Sequence, residues 1–115
     1  MSTAAGREAE EQAARFLARR GWRVLDRNVR GGRGELDIVA RKGEMLAFIE
    51  VKRRDRREDG LLAVHADKQA RLRSAAQAWL ARHPDCAALP CRFDLILVSP
   101  GRFRARIEHL TDAFR

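Results

Sequence analysis

Apolar residues recur at helical spacing over residues 7 to 20, where Ala9, Ala13, Phe16 and Leu17 share one face and charges fill the rest. Gly21 is placed to stop that helix. Trp22, Val24 and Leu25 open a short strand, and Asn28 to Gly34 reads as a flexible basic turn. Two alternating runs follow, Glu35 to Ala40 and Met45 to Lys52, joined by a Gly-containing hairpin connection at 41 to 44. Residues 53 to 60 have neither periodicity nor an apolar residue and predict an exposed, mobile loop. A second helix is predicted at about 66 to 82, burying Leu72, Ala75, Ala76, Trp79 and Leu80, with Pro84 ending it. Arg92 to Val98 is a further strand. The alternation of Phe103, Ala105 and Ile107 with arginines predicts a half-exposed last one. The order α-β-β-β-α-β-β describes an α/β fold, a mixed β-sheet flanked by helices. Its 115 residues are expected to form a single domain, 1–115.

The two central runs carry the chemistry. If Arg41 pairs with Glu44, Asp37 faces Phe48 and Glu35 faces Glu50. Glu35, Asp37, Glu50 and Lys52 then project from one face. Asp37 and Glu50 become diagonal neighbours, about 7–8 Å apart by backbone spacing. Leu36, Ile38, Ala40, Met45, Ala47, Ile49 and Val51 occupy the other face as core. Three acids on the polar face, with one lysine beside them, repel one another unless something offsets the charge. A divalent cation does so, and oxygen ligands suit Mg²⁺ or Mn²⁺ better than zinc. Lys52 adds to this. The chain uses 21 Arg and only 3 Lys, yet sets a Lys two residues after Glu50. A site needing a compact ammonium beside a phosphate or water accounts for that choice.

Net charge of +8 and a pI of about 11.1 point to a polyanionic partner, although arginine-rich usage also follows from genome composition. No apolar run approaches a membrane span and the polar first 20 residues lack a secretory signal, so a cytoplasmic protein without a membrane partner is expected. Cys86 and Cys91 form a lone C-x4-C, a poor zinc site, and read as free thiols. His65, His83 and His109 have no evident paired acid or nucleophile. Trp22 and Trp79 read as core. Asp94, inside an apolar strand, either supports the site or pairs with a nearby arginine.

The run Gly34-Glu35-Leu36-Asp37-Ile38-Val39-Ala40, then Phe48-Ile49-Glu50-Val51-Lys52, resembles the PD-(D/E)xK nuclease superfamily. More narrowly it is similar to the YraN-like bacterial family, which resembles archaeal Holliday-junction resolvases. The likeness extends through the first helix, Gly21-Trp22-Arg23-Val24-Leu25, Arg27-Asn28, Lys68-Gln69 and Arg92-Phe93-Asp94. Leu36 stands where the superfamily name has Pro. The resemblance implies a restriction-endonuclease-like core and a metal held by Asp37 and Glu50, with Lys52 as third signature residue and Glu10 as a helix acid nearby. Glu11 competes with Glu10 by one residue.

The implied chemistry is Mg²⁺- or Mn²⁺-dependent phosphodiester hydrolysis in structured DNA, DNA being favoured over RNA. The Val51 carbonyl would complete the metal ligands. Arg30, Arg33, Arg53, Arg54, Arg56, Arg57 and Lys68 would grip phosphates without reading sequence. The rival reading is a non-catalytic nucleic-acid-binding module that keeps the nuclease fold. A third is a structural partner within a larger assembly. A homodimer, paired through the edge of the Phe103 to Ile107 strand, would match a twofold junction.

Overall fold

The computed structural model describes residues 4–53 and 65–114. Helix α1 (Ala4–Arg19) buries Ala9, Glu10, Ala13 and Leu17. Its end is set by Gly21 at φ +88°. The Trp22 N–H reaches back to the Leu17 carbonyl and the Gly21 N–H to that of Ala18, the paired bonds of a glycine-terminated helix. Strands β1 (Arg23–Gly31), β2 (Gly34–Lys42) and β3 (Met45–Arg53) then form an antiparallel meander. Helix α2 (Ala66–Arg82) leads through a short 3-10 turn (Pro84–Cys86) into β4 (Cys91–Ser99), which runs parallel to β3. Strand β5 (Arg106–Phe114) closes the edge, giving a mixed sheet ordered β1-β2-β3-β4-β5.

The sheet is buried on both faces. Ala9, Ala13 and Leu17 of α1 pack on Ile38, Ala40, Ala47, Ile49, Ile96 and Val98. Leu72, Ala75, Ala76 and Trp79 of α2 pack on Leu36, Val39, Leu46 and Phe48, with Phe48 and Trp79 meeting edge to face at 6.0 Å. Trp22 and Trp79 are both core, as expected. Two apolar layers of this kind explain why β3 and β4 read as near-continuous hydrophobic runs, since a central strand has no solvated side.

Four expectations are corrected. The β2–β3 register is Ile38 opposite Ile49 and Lys42 opposite Met45, two residues along from the Arg41–Glu44 pairing. Gly43, at φ +59°, occupies the first central position of the turn, where two-residue hairpins favour glycine, and that choice sets the register. Leu36 does not join Ile38 and Ala40. It packs on the α2 side, so strand alternation breaks at Asp37, opposite Asn28 at φ +53°. The segment 28–34 is not a flexible turn but mostly strand, and the connection is only Gly32-Arg33. The last strand begins at Arg106 rather than Phe103, because a bend precedes it and Phe103 points to solvent, 91% exposed.

Candidate active site

The site forms where β2 and β3 pass beneath the start of α2. Continuing the observed register by one step sets Asp37 level with Glu50. The two carboxyls share a hydrogen bond despite the break in alternation beside Leu36, and they are directly opposed rather than diagonal. The Val51 N–H donates to Asp37 Oδ2 at 2.9 Å and fixes that carboxyl. Burial, followed by the negative charge of Glu50, pushes the Asp37 carboxyl up to about 8. The Val51 bond opposes that rise. Glu10 and a hydrogen bond shared with Glu50 add to it. Asp37 is therefore protonated at neutral pH in the ion-free protein.

Glu50 is only 5% exposed, and its Oε1 accepts from two ammonium groups: Lys52 Nζ at 3.1 Å and Lys68 Nζ at 3.2 Å. Lys52 comes from the same strand and Lys68 from the first turn of α2. Glu10 faces inward from α1, with its Oε2 buried and no hydrogen-bond partner among the described residues. Glu11 instead turns outward to Arg27 at 2.9 Å and Arg15 at 3.4 Å. Glu10 precedes Ala13 and Leu17 by three and seven residues, so it lies on the helix stripe that docks on the sheet, and Glu11 does not.

An open cleft of about 480 Å³ lies over the acids, bounded by Asp37, Glu50, Lys68, Arg71, Arg30 and Arg33. One wall is the tip of the β1–β2 hairpin, which is seated on α2. The Arg33 N–H donates to Ser74 Oγ at 2.9 Å. A Cβ on Gly32 would collide with Ser74 Oγ, and one on Gly34 would collide with the Arg71 carbonyl oxygen. Glycine is required here by close backbone approach, which seats the wall against α2 and sets Arg30 and Arg33 at the rim. Glu35 lines the cleft but is exposed and pairs with Arg30 at 3.2 Å, so it stands apart from the Asp37–Glu50 pair.

Arg30, Arg33 and Lys68 are thus gathered at one cleft. Arg53 is exposed and lines a separate cavity beside Gln12 and Ser99. Arg54, Arg56 and Arg57 lie outside the described residues. Arg71 was not anticipated. It stands one helical turn after Lys68 and pairs with Asp67 at 3.1 Å; the i, i+3 spacing from Lys68 was the available signal.

Among the described residues, no three His, Cys, Asp or Glu side chains make a ready cage for a metal. Two opposed carboxylates with a buried, unpartnered oxygen nearby still fit a hard divalent cation, which commonly takes one or two carboxylates and fills the remainder with backbone oxygen and water.

A second acidic centre lies on the α1 side. Asp94 is 1% exposed and accepts from His109 Nε2 at 2.7 Å, Arg92 Nε at 3.0 Å and the Asp112 N–H at 2.9 Å. His109 therefore does have a paired acid, which its separation of 15 residues from Asp94 concealed. Asp112, at φ +52°, sits where the β4–β5 register shifts, so Asp94 pins that irregularity. Cys86 is buried, Cys91 is exposed, and both are free.

Fold and site together define an α/β protein with a paired-carboxylate and lysine centre at the foot of an arginine-rimmed cleft. The chain belongs to the uncharacterised protein family UPF0102, whose model matches residues 9–98. A UPF0102 protein of Nitrobacter winogradskyi is 44% identical over 110 residues, covering 96% of this chain and 91% of that protein. Similar proteins occur in Bradyrhizobium sp. strain ORS 278 (46% identical over 109 residues, 95% of this chain and 75% of that one). One from Rhodopseudomonas palustris strain HaA2 is 43% identical over 109 residues, covering 95% and 83%. No helix among the described residues is long and apolar enough to cross a membrane.

Proposed function

We propose that this chain is a Mg²⁺- or Mn²⁺-dependent phosphodiesterase of the PD-(D/E)xK kind, cutting structured nucleic acid, with DNA favoured over RNA. The observation that carries this reading is the Asp37–Glu50 pair. Two opposed carboxylates in a partly buried site cost stability, and a scaffold tolerates that cost where function requires it. Asp37, Glu50 and the Val51 carbonyl would hold the ion. The chemistry such an ion supplies when bound is a lowered pKa for the attacking water and polarisation of the phosphoryl oxygens. The Val51 N–H orients Asp37 for that task. Lys52, 3.1 Å from Glu50, carries the positive charge that steadies the developing phosphoryl charge. Glu10 adds negative charge beside Asp37 and so favours a cation there. Arg30, Arg33 and Arg71 at the rim hold the flanking phosphates, a grip that recognises shape rather than sequence.

A second reading is a binding module without chemistry. It is favoured by the two lysines on Glu50 Oε1, which compensate that charge with no ion. One screen separates the two. The protein is incubated with Mg²⁺ or Mn²⁺ and duplex, single-strand, flap and four-way-junction substrates, beside an Asp37→Asn, Glu50→Gln variant. Cleavage by the wild type alone is expected. Binding without cleavage by either protein would sustain the module instead. Light scattering with and without a junction tests whether two copies act together, as a substrate of near-twofold symmetry would suit.

A further inference from the structure

The chain places Arg at 21 positions and Lys at only 3, and two of those three lysines meet on a single oxygen. Lys52 and Lys68 come from different elements, 16 residues apart, and both contact Glu50 Oε1, at 3.1 and 3.2 Å. An ammonium is a compact point charge that can share one carboxylate oxygen with another, whereas a guanidinium prefers to take both oxygens at once. The two lysines are not equivalent. Lys52 stands two residues after Glu50 on the same strand, and its side chain is only 19% exposed, so it is enclosed beside Glu50. Lys68 has a side chain 34% exposed and lines the open cleft beside Arg71 and Arg30. Its flexible stem gives the ammonium a second place to go, toward the rim that is built to meet phosphate.

We propose that Lys68 is an exchangeable positioning residue: it holds Glu50 in the ion-free protein, yields that oxygen to an entering divalent cation, and transfers its ammonium to the nucleic-acid phosphate in the cleft. This rests on the reading of Asp37 and Glu50 as a divalent-cation site. The consequence is a coupling. Cation and polyanion each favour the released position of Lys68, so each strengthens binding of the other by the same factor. The site is thereby closed to a stray cation until substrate is present, and substrate is held tightly only over a loaded site.

The test uses the full chain and Mn²⁺ alone, titrated by calorimetry. Lys68→Met is expected to bind Mn²⁺ about tenfold tighter than wild type, within the usual range of such couplings. Lys68→Arg keeps the charge but clamps Glu50 more firmly, and should bind Mn²⁺ more weakly than wild type. Arg71→Met removes a neighbouring charge that does not touch Glu50, and should gain much less than Lys68→Met. The gain in affinity for a duplex oligonucleotide that Mn²⁺ produces in the wild type should largely disappear in Lys68→Met. If Lys68→Met and Arg71→Met gain equally, general charge removal explains the effect and the exchange is overturned. It is overturned equally if Lys68→Arg binds Mn²⁺ as tightly as wild type. If neither wild type nor Lys68→Met binds Mn²⁺, the cation reading of the acids fails, and the exchange with it.

Discussion

Asp94 and Glu50 lie on neighbouring strands of one sheet, Asp94 level with Ile49, yet Asp94 and the Asp37–Glu50 pair meet opposite surroundings. Around Asp94, a guanidinium, an imidazole and a backbone N–H converge on one carboxylate. Burial alone would raise that acid, but the bonds from His109, Asp112 and Arg92 outweigh it and hold Asp94 below the usual carboxylate range. Around Asp37 there is a single backbone donor and two further acids, and its carboxyl is pushed up to about 8. The first arrangement offsets the cost of burying a charge and pins a strand irregularity. The second leaves the cost standing at Asp37, while Lys52 and Lys68 offset the charge of Glu50. A well-satisfied buried acid is explained by the fold, whereas a raised acid beneath an open cleft marks a candidate functional site.

The largest effect expected is at Asp94. Removing one partner of a buried ionic network strands the others, so Asp94→Ala should lose about 3–5 kcal/mol of stability in urea unfolding. A loss below about 1 kcal/mol, the scale of an ordinary surface change, would erase the contrast between the two centres.

Next comes the cleft wall. Gly34→Ala forces a Cβ against the Arg71 carbonyl and should cost about 1–3 kcal/mol, as overpacking does. It should also weaken nucleic-acid binding, because Arg30 and Arg33 ride on that hairpin. Unchanged stability would mean that the hairpin lifts off α2 readily.

Asp37 should respond with the opposite sign to Asp94. In the ion-free protein its folded pKa of about 8 lies above the ordinary 3.8, so the native state binds the extra proton between those values. Stability from this group is full below pH 3.8 and is lost as pH rises toward 8. Melting in chelator from about pH 5 to about pH 8.5, a window chosen to span that rise, should show the decline, and Asp37→Asn should flatten it. At the alkaline end Asp37→Asn should be more stable than wild type by about 0.5–2 kcal/mol, the usual gain when a functional residue is sacrificed. A wild-type melting temperature that does not fall across this window would break the comparison. Asp94, being lowered, contributes above the ordinary carboxylate range and is lost only in stronger acid.

The smallest effect is expected at Phe103, which is exposed and outside both centres. Phe103→Ser should stay within about 0.5 kcal/mol of wild type in the same urea assay. A larger loss would show that the bend before β5 contributes to holding that strand beside Asp94.

Periodicity alone determined the order of helices and strands, since burial of one stripe or one face leaves a 3.6- or 2-residue signature wherever a segment packs. It also determined that Asp37, Glu50 and Lys52 share a face. A two-residue shift in register preserves the grouping, and the hydrogen bond between Asp37 and Glu50 shows that the break beside Leu36 does not undo it. Periodicity could not decide that Asp37 and Glu50 are opposed rather than diagonal, because Gly43 in the turn fixed that. The choice of Glu10 over Glu11 was present as a helical stripe but waited on α1 docking over β3. The meeting of Lys68 with Glu50, the seating of the glycine hairpin on Ser74 and Arg71, and the pairing of His109 with Asp94 join residues 15 to 42 positions apart. No local pattern records such contacts. They arise only when two helices close on opposite faces of one sheet and decide which polar side chains have water to turn to and which have only each other.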